Sequence, residues 1–202
     1  MTTRPRTLIA ALLAAAVVPL TSCTATQMDG ESVSYLIVDS LRAASGADPQ
    51  AFEGVLNSDV MTEGGVVEDP GSVTLRLALK DPGTISNPGT PSPSNFITVT
   101  RYRVEFLRSD GRNTPGVDVP FPFDGAMTVT VTGNPVTASF TLVRVQAKLE
   151  APLRALASPN GAGALVISTL ADVTFFGHDQ AGREVMVKGR IGVDFADWAD
   201  PD

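Results

Sequence analysis

The chain has very few of the side chains that carry most enzyme chemistry. Its 202 residues include one cysteine, Cys23, and one histidine, His178. Structural zinc sites need four Cys or His ligands, so the usual zinc sets are excluded. A single thiol also excludes an intramolecular disulfide, so the burial of apolar side chains must stabilise the fold. His178 lies among turn-forming residues, and we expect a solvated turn residue there rather than a catalytic base.

Sequence motifs for common enzyme classes are also missing. The chain contains no Gly-x-Ser-x-Gly nucleophile elbow, no phosphate-binding glycine loop and no dinucleotide fingerprint. Paired carboxylates remain, because two acids about 5 to 10 Å apart can cleave glycosides. Sequence spacing does not show whether any two of the acids lie at this distance. The sequence therefore predicts no catalytic residue and no cofactor, and a carboxylate-based hydrolase is a distant alternative.

The N-terminus has the layout of a secretory signal. Arg4 and Arg6 precede an apolar run of 13 residues from Leu8 to Leu20. A bilayer-spanning helix needs about 20 apolar residues, so this run is too short for a membrane span. A basic start, a short apolar centre and small polar residues after it are typical of a cleaved signal. We therefore predict a signal helix over residues 1–22.

The residues around Cys23 resemble the bacterial lipobox. Leu20-Thr21-Ser22-Cys23 places a branched apolar residue, a hydroxyl residue and a small residue before the cysteine. The resemblance implies a diacylglycerol on the Cys23 thiol, cleavage before that residue, and acylation of the new amino group, for example with palmitate. Two or three acyl chains hold a protein at a membrane because each buried methylene contributes about 0.8 kcal/mol. The alternative is a plain secretory signal with a chance cysteine.

Lipidation would place the protein in the cell envelope, on the periplasmic or extracellular face. In a Gram-negative cell, Thr24 rather than Asp after the cysteine favours the outer membrane. Residues 23–32 are polar and predict a linker, which when fully extended reaches on the order of 30 Å. Without Arg4 and Arg6, 13 basic residues face 22 acidic ones, a formal charge of −9. This acidic balance disfavours nucleic acid as a partner.

The remaining sequence, residues 33–202, has the period-two alternation of half-buried strands. Gly, Pro, Asp and Asn separate the alternating segments. We predict seven strands, at 33–41, 72–80, 97–108, 126–132, 136–149, 164–176 and 184–195. Seven such strands without long helices predict a single all-β domain, an antiparallel β-sandwich of the immunoglobulin or fibronectin type. A closed barrel is the alternative.

Three segments of this domain are ambiguous. Residues 48–56 have a capping Asp48 and predict one or two helical turns. Residues 142–156 fit both strand and helix spacing, and Pro152 favours a strand to about residue 150 followed by a helical turn. The proline-rich residues 84–95 favour a stiff extended connection over a binding loop.

A loop of mixed charge and aromatic residues is the main candidate for a ligand or partner site. The candidate residues are Arg108, Asp110, Arg112, Asp118, Phe121 and Phe123. Arginines can grip carboxylates, and exposed aromatics can form a contact patch. Alternatively, the charges pair with one another and the phenylalanines close the core. Trp198 is either a sugar-stacking platform or a cover for one end of the domain.

A second acidic cluster is a weak candidate for calcium, which prefers oxygen ligands. Its members are Asp59, Glu63, Glu68 and Asp69. The cluster lacks the spacing of an EF-hand loop, so a solvated loop is the favoured interpretation and no metal site is predicted.

As a whole, the chain is similar to uncharacterised bacterial envelope lipoproteins with immunoglobulin-like β-sandwiches. The similarity depends on residues 1–23, on the Arg-Ser-Asp-Gly-Arg and Gly-Val-Asp-Val-Pro stretches, and on the last hairpin. It implies a non-catalytic structural or protein-interaction module with an envelope protein as partner. The alternative is a module that binds carbohydrate or another small ligand through its loops. The sequence does not indicate an oligomeric state.

Overall fold

The computed structural model describes residues 31–157 and 165–198. Cys23, the predicted signal and most of the predicted linker lie outside the described residues. The described residues form ten strands rather than the seven predicted. The strands are β1 (Ser34–Ala43), β2 (Val55–Asp59), β3 (Asp69–Leu79), β4 (Gly83–Thr84), β5 (Asn87–Pro88), β6 (Ile97–Leu107), β7 (Phe123–Val131), β8 (Val136–Val143), β9 (Ile167–Asp179) and β10 (Glu184–Ala196).

Helical structure within the described residues is short. It consists of α1 (Val145–Leu149) and two 3₁₀ turns, Pro93–Asn95 and Leu153–Ala155. None of the helices in the described part of the chain has the length and apolar character of a membrane span. Because the helices are so short and the remaining elements are strands, the prediction of an all-β chain with antiparallel sheets is confirmed.

Two main sheets are formed. The smaller has the strand order β1-β3-β8, and the larger has the order β2-β10-β9-β6-β7. Neighbouring strands are antiparallel except for β2 and β10, which are parallel. Strands β4 and β5 form a separate two-residue hairpin within the proline-rich segment. That segment was predicted as an extended connection and instead turns back on itself.

Alternating burial explains why the long strands form. Along β3, Val73, Leu75 and Leu77 are buried, while the residues between them are partly exposed. Because successive side chains of a strand point to opposite faces, such a segment buries one apolar face and keeps the other polar. Strands β6 and β10 follow the same pattern. The buried faces of both sheets contribute to one hydrophobic cluster.

Aromatic side chains join the two sheets at the centre of this cluster. The Phe140 ring on β8 lies 5.1 Å from the Tyr102 ring on β6 and 5.6 Å from the Phe175 ring on β9. All three rings are buried. A Cβ atom at Gly71 on β3 would come within 2.5 Å of the Phe140 ring, so glycine makes room for it. Phe140 therefore packs on its own sheet and on the opposite one.

Two segments adopt a different secondary structure from the prediction. Residues 55–59, partly predicted as helical turns, form β2, whose residues Leu56 and Ser58 are buried beside β10. The prediction was wrong because β2 is short and its parallel pairing depends on a strand more than 100 residues later. The strand predicted to residue 149 ends at Val143, and α1 follows because it buries Ala147 and Lys148.

We predict that Phe140→Ala lowers the free energy of unfolding by about 3 to 5 kcal/mol, because it leaves a cavity between the sheets. Urea denaturation followed by tryptophan fluorescence would measure the change. Phe121→Ala is the matched control, since the Phe121 side chain is 51% exposed and its loss should change stability by less than about 1 kcal/mol. Equal effects of the two substitutions would contradict this account of the core.

Candidate functional site

The predicted charged loop connects β6 to β7 over residues 108–122. Within it, the Arg108 guanidinium bonds the Asp110 carboxylate, with Nη2 2.5 Å from Oδ2. This hydrogen bond holds the pKa of Asp110 below its usual range. Arg112 lies 3.8 Å from the Asp110 carboxylate and 3.6 Å from that of Asp118. Both arginines therefore contact acids of the same loop.

Phe121 in this loop and Phe123 at the start of β7 have different environments. Phe123 is buried edge-on against Tyr102, at 6.2 Å between ring centroids, and the Arg144 guanidinium lies 4.2 Å above it. Phe121 is half-exposed and packs over Gly116, where a Cβ would come within 2.3 Å of its ring. Gly116 also has a φ of +75°, which favours glycine. Phe123 is thus part of the core, and Phe121 remains on the surface.

Trp198 lies at the same end of the larger sheet as this loop, beyond β10 and two strands away from β6. Its side chain is 37% exposed, and its backbone N–H donates to Asp59 Oδ1 at 3.1 Å. This bond ties the chain after β10 to the end of β2. The backbone of Trp198 is therefore held at this end of the sheet, and its indole stays partly exposed.

The four calcium candidates lie in different environments. Asp69 is buried and bonded to Lys148, and Asp59 accepts backbone hydrogen bonds from Met61 and Trp198. Glu63 and Glu68 are exposed. Across residues 31–157 and 165–198, no three or more His, Cys, Asp or Glu side chains are placed to hold a metal ion. The structure thus does not assemble these four acids into a cation site.

A feature that the sequence analysis missed is that the first part of β10 pairs with a single strand. Strand β9 pairs with β10 along its whole length, but β2 pairs only with Gly192–Ala196. Within the described chain, residues 184–191 therefore have a paired strand on one side only. We call this segment the β10 edge.

The hairpin geometry shows which backbone groups point outward from the β10 edge. The Asp179 N–H donates to the Arg183 carbonyl at 3.0 Å, so residues 179 and 183 form a hydrogen-bonded pair. In antiparallel strands such pairs alternate with non-hydrogen-bonded pairs. It follows that residues 184, 186, 188 and 190 direct their N–H and C=O groups away from β9. These backbone groups are not paired with another strand in the described chain.

Apolar side chains flank the β10 edge. Met186 is 72% exposed, and together with Tyr35 and Lys80 it lines a shallow groove of about 290 Å³ between β10 and the start of β1. The Lys80 ammonium lies 5.2 Å from the Tyr35 ring centroid and bonds Glu31 at 2.7 Å. An exposed methionine and tyrosine beside unpaired backbone groups are suited to contact with another polypeptide.

A second groove, of about 670 Å³, lies on the other side of Met186 on the outer face of the larger sheet. Its lining includes Arg101, Phe176, His178 and Glu184. The Arg101 guanidinium stacks 3.8 Å from the Phe176 ring centroid and also bonds Asp124 at 3.0 Å. His178 is exposed on β9, with Nδ1 3.0 Å from the Asp179 carbonyl oxygen. This groove is at the opposite end of β6 from the predicted charged loop.

Asp172 anchors a charged cluster on the same outer face. Its carboxylate is almost fully buried and accepts hydrogen bonds from Arg190 and Lys188 on β10, at 2.5 to 3.2 Å. The Arg190 hydrogen bond is the main reason why the pKa of Asp172 is lowered. The cluster ties β9 to β10 next to the β10 edge.

Comparisons with known proteins give no match: no protein-family model, no curated protein and no solved structure is significantly similar to the chain. The functional argument therefore depends on the geometry described above.

We predict that Asp172→Asn destabilises the protein by about 1 to 2 kcal/mol at pH 7, because it weakens charge-assisted hydrogen bonds to partly exposed cations. The pKa of folded Asp172 is lowered, so its contribution is complete above the unfolded value of about 3.9 and disappears as pH falls through the folded pKa. The difference between variant and wild type should therefore shrink below pH 4 in urea titrations.

Asp39→Asn is the matched control for this substitution. Asp39 pairs with Arg76 at 3.0 Å, but both side chains are substantially exposed. Such surface pairs contribute at most about 1 kcal/mol. A pH-independent loss in the Asp172 variant would contradict the assigned ionisation.

Proposed function

We propose that this chain is a lipid-anchored protein of the bacterial cell envelope that acts without catalysis and binds an extended segment of a protein partner at the β10 edge. The observation that carries the proposal is the row of outward backbone groups at residues 184, 186, 188 and 190, which have no paired strand in the described chain. Adding a strand to such an edge is a common mode of peptide recognition.

Strand addition at this edge would draw its affinity from main-chain hydrogen bonds and its selectivity from side chains. Each main-chain hydrogen bond contributes about 0.5 to 1.5 kcal/mol net, so backbone pairing alone gives modest affinity. Selectivity would come from side chains, because alternate residues of the added strand lie on the face that carries Met186 and could contact it and Tyr35 in the groove. The proposed partner is therefore an extended peptide with an apolar residue next to Met186.

The charges along the β10 edge support selective rather than indiscriminate pairing. Glu184, Lys188 and Arg190 are exposed on this segment. Charged side chains on edge strands oppose uncontrolled association with other edges. A partner segment with acids opposite Lys188 and Arg190 would be accommodated.

We also propose that residues 33–202 form one β-sandwich domain of the immunoglobulin or fibronectin type. The single core shared by both sheets supports a sandwich. The parallel pairing of β2 with β10 distinguishes it from a wholly antiparallel arrangement.

The anchor in this proposal is the lipid on Cys23, with the outer membrane as the site in a Gram-negative cell. Glu31 and Ser32, at the end of the predicted linker, contact the domain: Glu31 bonds Lys80 at 2.7 Å, and Ser32 Oγ accepts the Ser34 N–H at 3.3 Å. Both are close to the groove at the β10 edge. The anchor and the proposed binding site would then lie on the same side of the domain.

We predict that Cys23→Ser moves the protein from the membrane fraction to the soluble fraction, because the acylated thiol is lost. Cell fractionation and immunoblotting of the full chain would measure this. Retention of the variant in the membrane fraction would contradict the lipid anchor, since no helix in the described residues can span a bilayer.

We predict that a photo-crosslinking amino acid at Glu184 captures a reproducible partner in intact cells and that Met186→Pro abolishes the adduct. Proline removes the outward N–H at 186 but no bond to β9, so the domain should stay folded. Met186→Ala is the matched control: it removes the side chain but keeps the N–H, and should leave part of the adduct. The same crosslinker at Thr137, on the outer face of the smaller sheet, should give no such adduct.

An adduct that survives Met186→Pro unchanged would exclude strand addition, and the absence of any adduct at Glu184 would exclude a partner at this edge. Circular dichroism of each variant separates either result from unfolding.

A second candidate function is the binding of a carbohydrate or other small ligand. The groove lined by Arg101, Phe176 and His178 favours it, because an aromatic face beside polar groups suits a small polar ligand. This function would require the Arg101 guanidinium and would not depend on the outward N–H of Met186.

A further inference from the structure

Lys148 and Asp69 form an ion pair that is completely removed from solvent. Lys148 Nζ lies 2.7 Å from Asp69 Oδ1, and both side chains have zero exposure. Lys148 belongs to α1, whereas Asp69 begins β3, 79 residues earlier. The pair therefore joins two distant parts of the chain within the core.

Two neutral donors complete the surroundings of the Asp69 carboxyl. The Ser58 hydroxyl donates to Oδ2 at 2.6 Å, and the Gly46 N–H donates to Oδ1 at 2.8 Å. Each carboxyl oxygen thus has a fixed hydrogen-bond donor in addition to Lys148. The Lys148 Nζ contacts Asp69 Oδ1, and Oδ1 is bonded directly to the carboxyl carbon Cγ. Only this one covalent bond separates the contacted atom from Cγ.

Burial changes which protonation states are favourable here. Desolvation raises the pKa of Asp69 despite the opposing influence of Lys148. In a medium of low dielectric constant, transfer of one proton from the ammonium to the carboxylate removes both charges. A neutral amine and a neutral carboxylic acid are the two reactants that form an amide.

We propose that Lys148 and Asp69 condense into an intramolecular isopeptide bond. The Nζ lone pair attacks Cγ and forms the new C–N bond. The Ser58 hydroxyl and the Gly46 N–H stabilise the charge that develops on the carboxyl oxygens. A proton moves from nitrogen to the departing oxygen, the C–O bond breaks, and one water molecule leaves. No oxidant, reductant or further reactant is needed.

The folded structure holds the amine and the carboxyl in contact, whereas in free solution the two groups rarely meet. Reacting groups held in contact reach effective molarities of about 10⁵ to 10⁸ M. The buried site also disfavours return of the released water. The product would link α1 to β3 covalently in a chain that has only one cysteine. Such a link would restrict the unfolded chain in the same way as a disulfide does in other proteins.

Tryptic digestion of the folded full-length chain tests the proposal directly. An amide at Lys148 blocks cleavage after that residue, so residues 145–154 should remain intact and be joined to residues 43–76. Mass spectrometry should find this branched peptide with the mass of its two parts less one water molecule, and fragmentation should place the link at Asp69. Recovery only of separate peptides, with cleavage after Lys148, would show an ion pair alone and overturn the proposal.

Two variants act as controls for the chemistry. Lys148→Met removes the amine and should abolish the branched peptide. Asp69→Asn should give the same branched peptide, because the carboxamide forms an identical amide with ammonia as the leaving group. Ser58→Ala should lower the linked fraction at a fixed time after synthesis. Linked peptide in the Lys148 variant would assign the signal to another crosslink and contradict this one.

Discussion

The contact of Phe140 with the opposite sheet is the interaction on which the rest of the structure depends. The apolar face of the three-stranded sheet needs a partner surface that removes it from water. Phe140 provides that contact by reaching Tyr102 and Phe175 on the larger sheet. Gly71 and Gly125 allow it, because a side chain at either position would collide with an aromatic ring. With one cysteine in the whole chain, this packing takes the place of an intramolecular disulfide.

The β10 edge is a consequence of unequal strand lengths within the larger sheet. Strand β10 has 13 residues and β2 has five, and their parallel pairing begins only at Gly192. The first part of β10 therefore pairs with β9 alone, while β1 packs close to it without pairing. A rigid edge of this kind presents its backbone groups with little further ordering, which lowers the entropic cost of adding a strand.

The long strands could be predicted from the sequence because one of their faces is buried, and burial leaves a period-two signal. Strand β2 could not be predicted in this way, since only Leu56 and Ser58 face inward and the pairing partner is distant in sequence. The helix α1 was missed because residues 142–149 satisfy both periods, and the burial of Lys148 that decides between them depends on Asp69.

The candidate site was still harder to predict than the fold. The sequence drew attention to unusual residues at 108–123. There the charges contact one another, and Phe123 enters the core as the first residue of β7. The β10 edge contains no unusual residue. The edge exists because β2 pairs with only the last five residues of β10. Strand pairing is a property of the topology, which composition and residue spacing do not encode.

Asp172 and Asp69 are both buried carboxylates beside cations, but their ion pairs differ in how much they can contribute to stability. Asp172 has cations whose side chains are half-exposed, so water still solvates the far side of the pair. The pair of Asp69 and Lys148 has no such solvation, and the desolvation of two charges offsets most of their attraction. An apolar pair of similar size would stabilise the core as well or better. Ion-pair stability alone therefore gives little reason for these two residues, whereas the proposed amide would give one.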